Sequence, residues 1–190
     1  MSATVFPVGF YGGARDAEQV VRVGWSQHRL GEDAFGVWVL AHGLPEVGKG
    51  AWTPEDVIQQ AESVGIPDAG KELEALADAG SVVVVDDPAN FARSHRMDVL
   101  FVGLGNAPDR VDGHAVGIPG VGTAAVLDPD CYELWQWGSV APTLWHSCEL
   151  RATVTADHGQ PANPVTALAE ILGDLRFLIA HGCAYLDVAG

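Results

Sequence analysis

The spacing of apolar and polar residues changes along the first part of the chain from a strand pattern to a helix pattern. Residues 4–11 are apolar and aromatic, and residues 19–30 alternate in part between apolar and polar side chains, which is typical of half-buried strands. After residue 31 the apolar side chains recur at helical spacing, which predicts one face of a helix that ends near Gly43. The side chains concerned are Phe35, Trp38 and Val39.

Two more helices follow in the pattern. Thr53 and Pro54 supply an N-cap and a proline at the first helical position, which favours a helix that starts there and runs to about residue 64. A third, shorter helix over residues 68–79 has an apolar stripe and ends at Gly80, a residue type common just beyond a helix C-terminus. The first half of the chain is therefore expected to contain three helices after its strands.

A strand pair is predicted after the third helix. Residues 81–85 are mostly β-branched, and residues 91–102 are expected to return as the hairpin partner of this strand after a turn. Three helices followed by a two-stranded hairpin is the order of winged helix-turn-helix domains. The segment Leu73-x-x-Leu76-x-x-x-Gly80, followed by a strand, resembles the helix-to-wing junction of that superfamily.

With strands placed before the first helix, residues 18–86 also resemble a winged-helix element that recognises peptides in peptide-modifying systems. That family includes the peptide chaperone of pyrroloquinoline quinone synthesis. The resemblance implies that a leader peptide is bound as an added strand beside the sheet, against the third helix.

The C-terminal half repeats the same junction. Leu175-x-x-Leu178-x-x-x-Gly182 has the same spacing and also leads into an apolar strand. We therefore predict an α+β fold that is winged-helix-like, with two units in tandem: a first domain with N-terminal strands over residues 1–102, and a second α+β unit over residues 103–190. The alternative is that the motif marks any amphipathic helix where it meets its C-cap.

Composition and charge narrow the class of protein. The 190 residues are 48% hydrophobic, yet no apolar run is long enough for a membrane span, and the N-terminus has no signal-peptide pattern. We therefore expect a cytoplasmic protein that does not bind membranes. The 25 acids against 10 bases give a net charge of −15, which keeps an acidic protein soluble and repels phosphate backbones.

No pattern of catalytic or metal-binding residues is convincing. Cys131, Cys148 and Cys183 are widely and irregularly spaced, which fits buried free thiols better than a disulfide framework. His146, Cys148, His181 and Cys183 form a ligand set that zinc accepts, but residues two apart on a helix point in nearly opposite directions. We expect no cofactor and no enzyme activity, with a thiol or zinc-dependent enzyme as an alternative.

The densest basic cluster lies on the predicted wing. Arg93, His95 and Arg96 could contact DNA. A further alternative is therefore a DNA-binding transcription regulator that acts as a homodimer and so concentrates two weak basic patches. The third helix argues against it, because residues 68–79 contain four acids and only one base, Lys71. A recognition helix with that balance would repel phosphates.

The combination of winged-helix order and an acidic third helix favours a polypeptide partner. Our leading hypothesis is a non-enzymatic binding or adaptor protein that recognises a peptide or protein through its winged-helix surface. The expected contacts are Trp25, Gln27 and Arg29 on the strand before the first helix, and Lys71 and Glu74 on the third helix.

Overall fold

The computed structural model describes residues 3–107, 109–156 and 163–190, and these residues form seven α-helices and ten β-strands in an α+β fold. The helices are α1 (Glu32–Leu40), α2 (Pro54–Ser63), α3 (Ala69–Asp78), α4 (Pro88–Ser94), α5 (Pro129–Trp137), α6 (Leu144–Ala156) and α7 (Pro164–Ala180). The strands are β1 (Thr4–Pro7), β2 (Phe10–Arg15), β3 (Glu18–Val23), β4 (Ser26–Leu30), β5 (Val82–Val85), β6 (His95–Val99), β7 (Val102–Ala107), β8 (Arg110–Ile118), β9 (Gly122–Leu127) and β10 (Ala184–Val188). None of the helices within these ranges is both long and apolar enough to cross a membrane.

The three helices predicted in the first half are present, and α2 starts for the expected reason. The hydroxyl of Thr53 accepts the backbone N–H of Asp56 at 3.2 Å, and the carboxylate of Asp56 accepts the N–H of Thr53 at 2.8 Å. This reciprocal capping satisfies two N–H groups that a helix start leaves unpaired. The predicted capped start of α2 is confirmed.

The predicted wing hairpin is wrong. Strand β5 pairs antiparallel with β1, and β6 pairs antiparallel with β10, so residues 81–85 and 91–102 are not hairpin partners. The segment between them forms helix α4. The Asp87 side chain accepts the N–H groups of the first turn of α4, and Pro88 occupies the first helical position, a combination that starts a helix as readily as a turn.

The two halves of the chain share one order of elements. In each half a strand is followed by a three-stranded antiparallel sheet and three helices, and a last strand then returns to pair with the first. The sheets are β2–β3–β4 and β7–β8–β9. Strand β6 pairs with β10 and so belongs by its pairing to the C-terminal half. The predicted division places β6 in the first domain, residues 1–102.

The two leucine-glycine junctions have the same backbone geometry. Gly80 and Gly182 both have positive φ, +74° and +65°, which glycine adopts without steric cost. At each junction the next residue donates back across the helix end, from Ser81 to the Leu76 carbonyl at 2.9 Å and from Cys183 to the Leu178 carbonyl at 2.8 Å. This is the bonding of a Schellman C-cap, and it directs the chain into β5 and into β10.

A continuous apolar core joins the two halves. Arg176 of α7 lies in it with 1% of its surface exposed and donates to the carbonyls of Ala41 and His42 at the end of α1, at 3.2 and 3.0 Å. Its guanidinium also donates to the Val5 carbonyl and lies 4.2 Å from the ring centre of Phe6. Burial lowers the pKa of Arg176 to about 9, which still leaves it charged at neutral pH.

A buried carboxylate makes a second connection between the halves. Asp174 of α7 accepts Lys49 at 2.7 Å and Arg151 of α6 at 2.8 Å. Lys49 also pairs with Asp128, the N-cap of α5, at 2.6 Å. The loop that precedes α2 is thereby held against α7 and the start of α5 in the C-terminal half.

Candidate partner-binding surface

Strand β4 forms an edge of its sheet. The order β2–β3–β4 leaves one side of β4 without a neighbouring strand, and within the described ranges the backbone of that side has no hydrogen-bond partner. Gln27 and Arg29 of β4 are both exposed, and Arg29 pairs with Glu18 of β3 at 3.2 Å. An open strand edge offers N–H and C=O groups to an incoming strand.

Trp25 lies at the turn between β3 and β4 and is fully exposed, at 105% of its reference surface. The turn itself is held firmly. Asp187 of β10, only 4% exposed, accepts the Gly24 N–H at 2.7 Å and Arg22 at 3.3 Å, and Arg22 also donates to the Gly24 carbonyl at 2.9 Å. A large aromatic side chain is therefore presented to solvent from a fixed backbone.

The C-terminal end of α3 lies beside β4. A hydrogen bond of 2.7 Å joins Nδ1 of His28 in β4 to the hydroxyl of Ser81, the residue after the α3 cap. Lys71 and Glu74 lie on the exposed face of α3, and Lys71 pairs with Asp68 at 3.0 Å.

The structure thus brings Trp25, Gln27 and Arg29 together on one hairpin. Lys71 and Glu74 are placed on the neighbouring helix, and in the part of the chain that the structure describes they make no hydrogen bond or ion pair with β4. We call the exposed edge of β4 together with Trp25 the β4 surface.

Sequence reasoning missed the groups that support this surface. Asp187, Arg22 and Gly24 are the residues that fix the turn. The sequence contained one signal of this support, because Asp187 is an acid within the apolar strand 184–188 and a buried carboxylate needs hydrogen-bond donors.

The basic cluster predicted for DNA binding is dispersed. Arg93 lies on α4, with its guanidinium carbon 3.8 Å from the ring centre of Trp145. The ring of His95 donates to the Phe91 carbonyl at 3.0 Å, and burial lowers the pKa of His95. Arg96 pairs with Asp98 at 2.5 Å. All three are engaged within the protein, and the hairpin on which they were placed does not form.

The residues considered as zinc ligands are buried or form separate hydrogen bonds with other groups of the protein. Cys148 and Cys183 are buried, and burial raises the pKa of each thiol to about 11. His146 bonds to the Thr143 hydroxyl at 2.8 Å, and His181 donates to the Phe177 carbonyl at 2.8 Å. Across residues 3–107, 109–156 and 163–190, no group of three or more His, Cys, Asp or Glu side chains could hold a metal ion.

A groove between the two halves was also not foreseen. It has a volume of about 420 Å³ and is formed by β2, α1, the end of α7 and β10. Five aromatic side chains line it together with His42, whose pKa is lowered to about 4 mainly by burial. The lining rings include Phe10, Tyr11, Phe35, Trp38 and Tyr185.

Comparisons with protein-family models, with curated proteins and with solved structures found no match to this chain.

Proposed function

We propose that this protein is a non-enzymatic binding protein that recognises a peptide segment of its partner by adding it as a strand beside β4. The observation that carries the proposal is the β4 surface: an open strand edge next to a fully exposed Trp25 on a fixed turn. Strand addition supplies affinity through main-chain hydrogen bonds, and side-chain contacts supply specificity. Exposed tryptophans that become buried are frequent anchors of such interfaces.

The order of elements supports a winged-helix-like interpretation of this surface. The sheet β2–β3–β4 is followed directly by α1, α2 and α3, which is the order expected from the resemblance to peptide-recognition elements. The hydrogen bond between His28 and Ser81 places the edge strand beside the end of the third helix, where such elements hold their peptide. We propose in addition that the C-terminal half is a second winged-helix-like unit, because it repeats this order.

A peptide partner fits the charge distribution better than DNA does. The net charge is −15, and among the residues that the structure describes at least six of the ten basic residues are held in ion pairs within the protein. Those six are Arg22, Arg29, Lys49, Lys71, Arg96 and Arg151. Few cations are left to neutralise phosphates, and phosphate neutralisation supplies most of the non-specific affinity for DNA. In the DNA-binding alternative, genomic fragments would shift in an electrophoretic mobility assay at low salt.

A peptide-display selection tests the proposal with a defined probe. Random twelve-residue peptides are selected against the full chain, and one enriched peptide is synthesised for affinity measurements. We expect Trp25→Ala to weaken its binding at least about tenfold, the loss typical of an interface anchor. Trp137→Ala is the matched control, since Trp137 is also exposed, at 53%, on helix α5.

Hydrogen exchange locates the bound peptide. Because added strands protect the amides of the edge strand, we expect slower exchange over residues 26–30 in the presence of the selected peptide. Equal binding to wild type and Trp25→Ala, with no protection of residues 26–30, would show that the β4 surface is not the binding site.

A further inference from the structure

The groove between the two halves presents ring surfaces rather than the polar ends of its aromatic side chains. The hydroxyl of Tyr11 donates to Gln19 at 2.7 Å, and that of Tyr185 donates to Asp98 at 3.1 Å. The indole N–H of Trp38 donates to a backbone carbonyl at 3.3 Å. Because these polar groups are bonded within the protein, the groove offers an incoming molecule mainly aromatic carbon. We call it the aromatic groove, after its rings Phe10, Tyr11, Phe35, Trp38 and Tyr185.

The rings of the aromatic groove are held in pairs and are still accessible. Phe10 packs on Tyr185, and Tyr11 packs on Phe35, each pair with ring centres 5.1 Å apart. Phe10 and Tyr11 are nonetheless 39% and 42% exposed. Aromatic rings attract one another in offset and edge-to-face arrangements by more than the area they bury. Ordered rings that remain half-exposed therefore favour an aromatic ligand over an aliphatic one.

Charge restricts the ligand further. Within the described ranges no Asp, Glu, Lys or Arg side chain lines the aromatic groove. Arg176 bonds to the His42 carbonyl from the core, and its charge contributes to lowering the pKa of the His42 ring, so a cation beside that ring would be repelled. An anion would approach a chain of net charge −15 and find no cation in the lining. An uncharged ligand meets neither penalty.

His42 supplies a specific polar contact. Its Nδ1 donates to the carbonyls of Trp38 and Val39 at 3.1 and 3.0 Å. Since the lowered pKa keeps the ring neutral at pH 7, Nε2 carries a lone pair and accepts hydrogen bonds. In the part of the chain that the structure describes, Nε2 has no hydrogen-bond partner. An N–H or O–H group on the ligand would complete this contact.

The border strand argues for a small molecule rather than an added peptide strand. Strand β2 forms one side of the aromatic groove and is an edge of its sheet, but β3 pairs with Tyr11 and Gly13 and skips Gly12. Such a bulge protects an edge against strand addition. The volume of about 420 Å³ lies within the range of small-molecule sites, about 300 to 1,000 Å³.

We propose that the aromatic groove binds an uncharged planar aromatic molecule that carries one N–H or O–H donor. The ligand packs on the rings of Phe10 and Tyr11 and donates to Nε2 of His42. Ligand sites often lie where two units of a protein meet, as this groove does. The proposal is separate from the β4 surface and does not depend on it.

The probe that tests the proposal is 2-naphthol, which is planar, uncharged at pH 7 and has one hydroxyl donor. A ligand-detected NMR titration of the full chain measures its dissociation constant, which we expect at about 1 mM or below for a ligand of this size. The anion 2-naphthoate and the cation 2-naphthylmethylammonium should each bind at least about tenfold more weakly, because the lining compensates neither charge. No binding of 2-naphthol, or tighter binding of either charged analogue, would overturn the proposal.

Variants locate the ligand. Phe10→Ala should raise the dissociation constant of 2-naphthol at least about threefold, because one ring contact is lost. Trp137→Ala is the matched control, since it removes another exposed ring that lies on α5, outside the aromatic groove, and it should leave the constant unchanged. Binding weakened by Trp137→Ala and unaffected by Phe10→Ala would place the ligand elsewhere and refute the assignment.

The contact with His42 is tested separately with 2-methoxynaphthalene, which has no donor. His42→Phe should weaken the binding of 2-naphthol and leave that of 2-methoxynaphthalene unchanged. If circular dichroism shows that His42→Phe does not fold, the two probes are compared on the natural chain, where 2-naphthol should bind at least about fivefold more tightly. Equal affinities for the two probes would exclude His42 as the acceptor.

Discussion

Replacement of Asp187 by alanine tests whether the turn that carries Trp25 is held from the other half of the chain. Oδ1 of Asp187 accepts the N–H groups of Gly24 and Val188, at 2.7 and 3.0 Å, and Oδ2 accepts Arg22 at 3.3 Å. Alanine removes all three acceptor contacts at once. The Gly24 N–H, which lies in a half-buried turn, would then lack its acceptor.

The expected loss of stability follows from these contacts. A buried N–H left without an acceptor costs about 1–3 kcal/mol, and the loss of a charged partner adds to this. The Arg22 side chain is 43% exposed, so water can solvate the released guanidinium and its share is small. We therefore expect Asp187→Ala to lower the free energy of unfolding by about 2–4 kcal/mol.

Urea unfolding followed by circular dichroism measures this change, and Asp16→Ala is the control. The Asp16 side chain is 88% exposed and its ion pair with Arg29 is long, at 3.9 Å, so its removal should change stability by less than about 0.5 kcal/mol. The Asp187→Ala protein that remains folded should also bind a selected peptide less tightly, because Trp25 is no longer fixed. Unchanged stability, or unchanged peptide affinity in the folded variant, would refute the role we assign to Asp187.

Two further predictions concern the core and its pH dependence. Arg176→Ala should destabilise the chain by about 3–5 kcal/mol, because the buried carbonyls of Val5 and Ala41 and the half-buried carbonyl of His42 lose their donor. Arg176→Met should cost less, because its side chain fills the space beside Phe6. Urea titration of both variants distinguishes them, and a loss below about 1 kcal/mol in Arg176→Ala would contradict this view. The pKa of His42 falls from 6.5 to about 4 in the folded chain, so between these values the unfolded chain binds the additional proton. The contribution of His42 to stability should therefore be complete above pH 6.5 and decrease by at most roughly 3 kcal/mol as the pH falls to 4. Urea unfolding at pH 4.5 and 7.5 measures this pH dependence of stability, and His42→Phe should reduce it. An equal pH dependence in His42→Phe would show that it has an origin other than His42.

Features that depend on residues close together in the chain could be predicted from the sequence. The cap formed by Thr53 and Asp56 depends on residues three apart, and the helix ends at Gly80 and Gly182 depend on a single backbone conformation. The same kind of signal was present at Asp87-Pro88, where it was taken for a turn. Both turns and helix starts favour Asp followed by Pro, so the two outcomes differ only in what the next residues pack against.

The pairing of one strand with another could not be predicted in this way. The valines of β5 predict a strand, but side-chain alternation does not identify the strand that pairs with it. Thr4 of β1 pairs with Val85, and this contact depends on how α1, α2 and α3, which lie between the two strands in the sequence, fold the chain back. The fixed backbone of the turn before Trp25 could not be predicted for the same reason, since it depends on the contact between Gly24 and the distant Asp187.

The β4 edge carries Arg29 and lies beside a fully exposed Trp25, so it offers side-chain contacts by which one peptide can be distinguished from another. The main-chain hydrogen bonds of an added strand are open to any sequence, so these side chains must supply the discrimination between peptides.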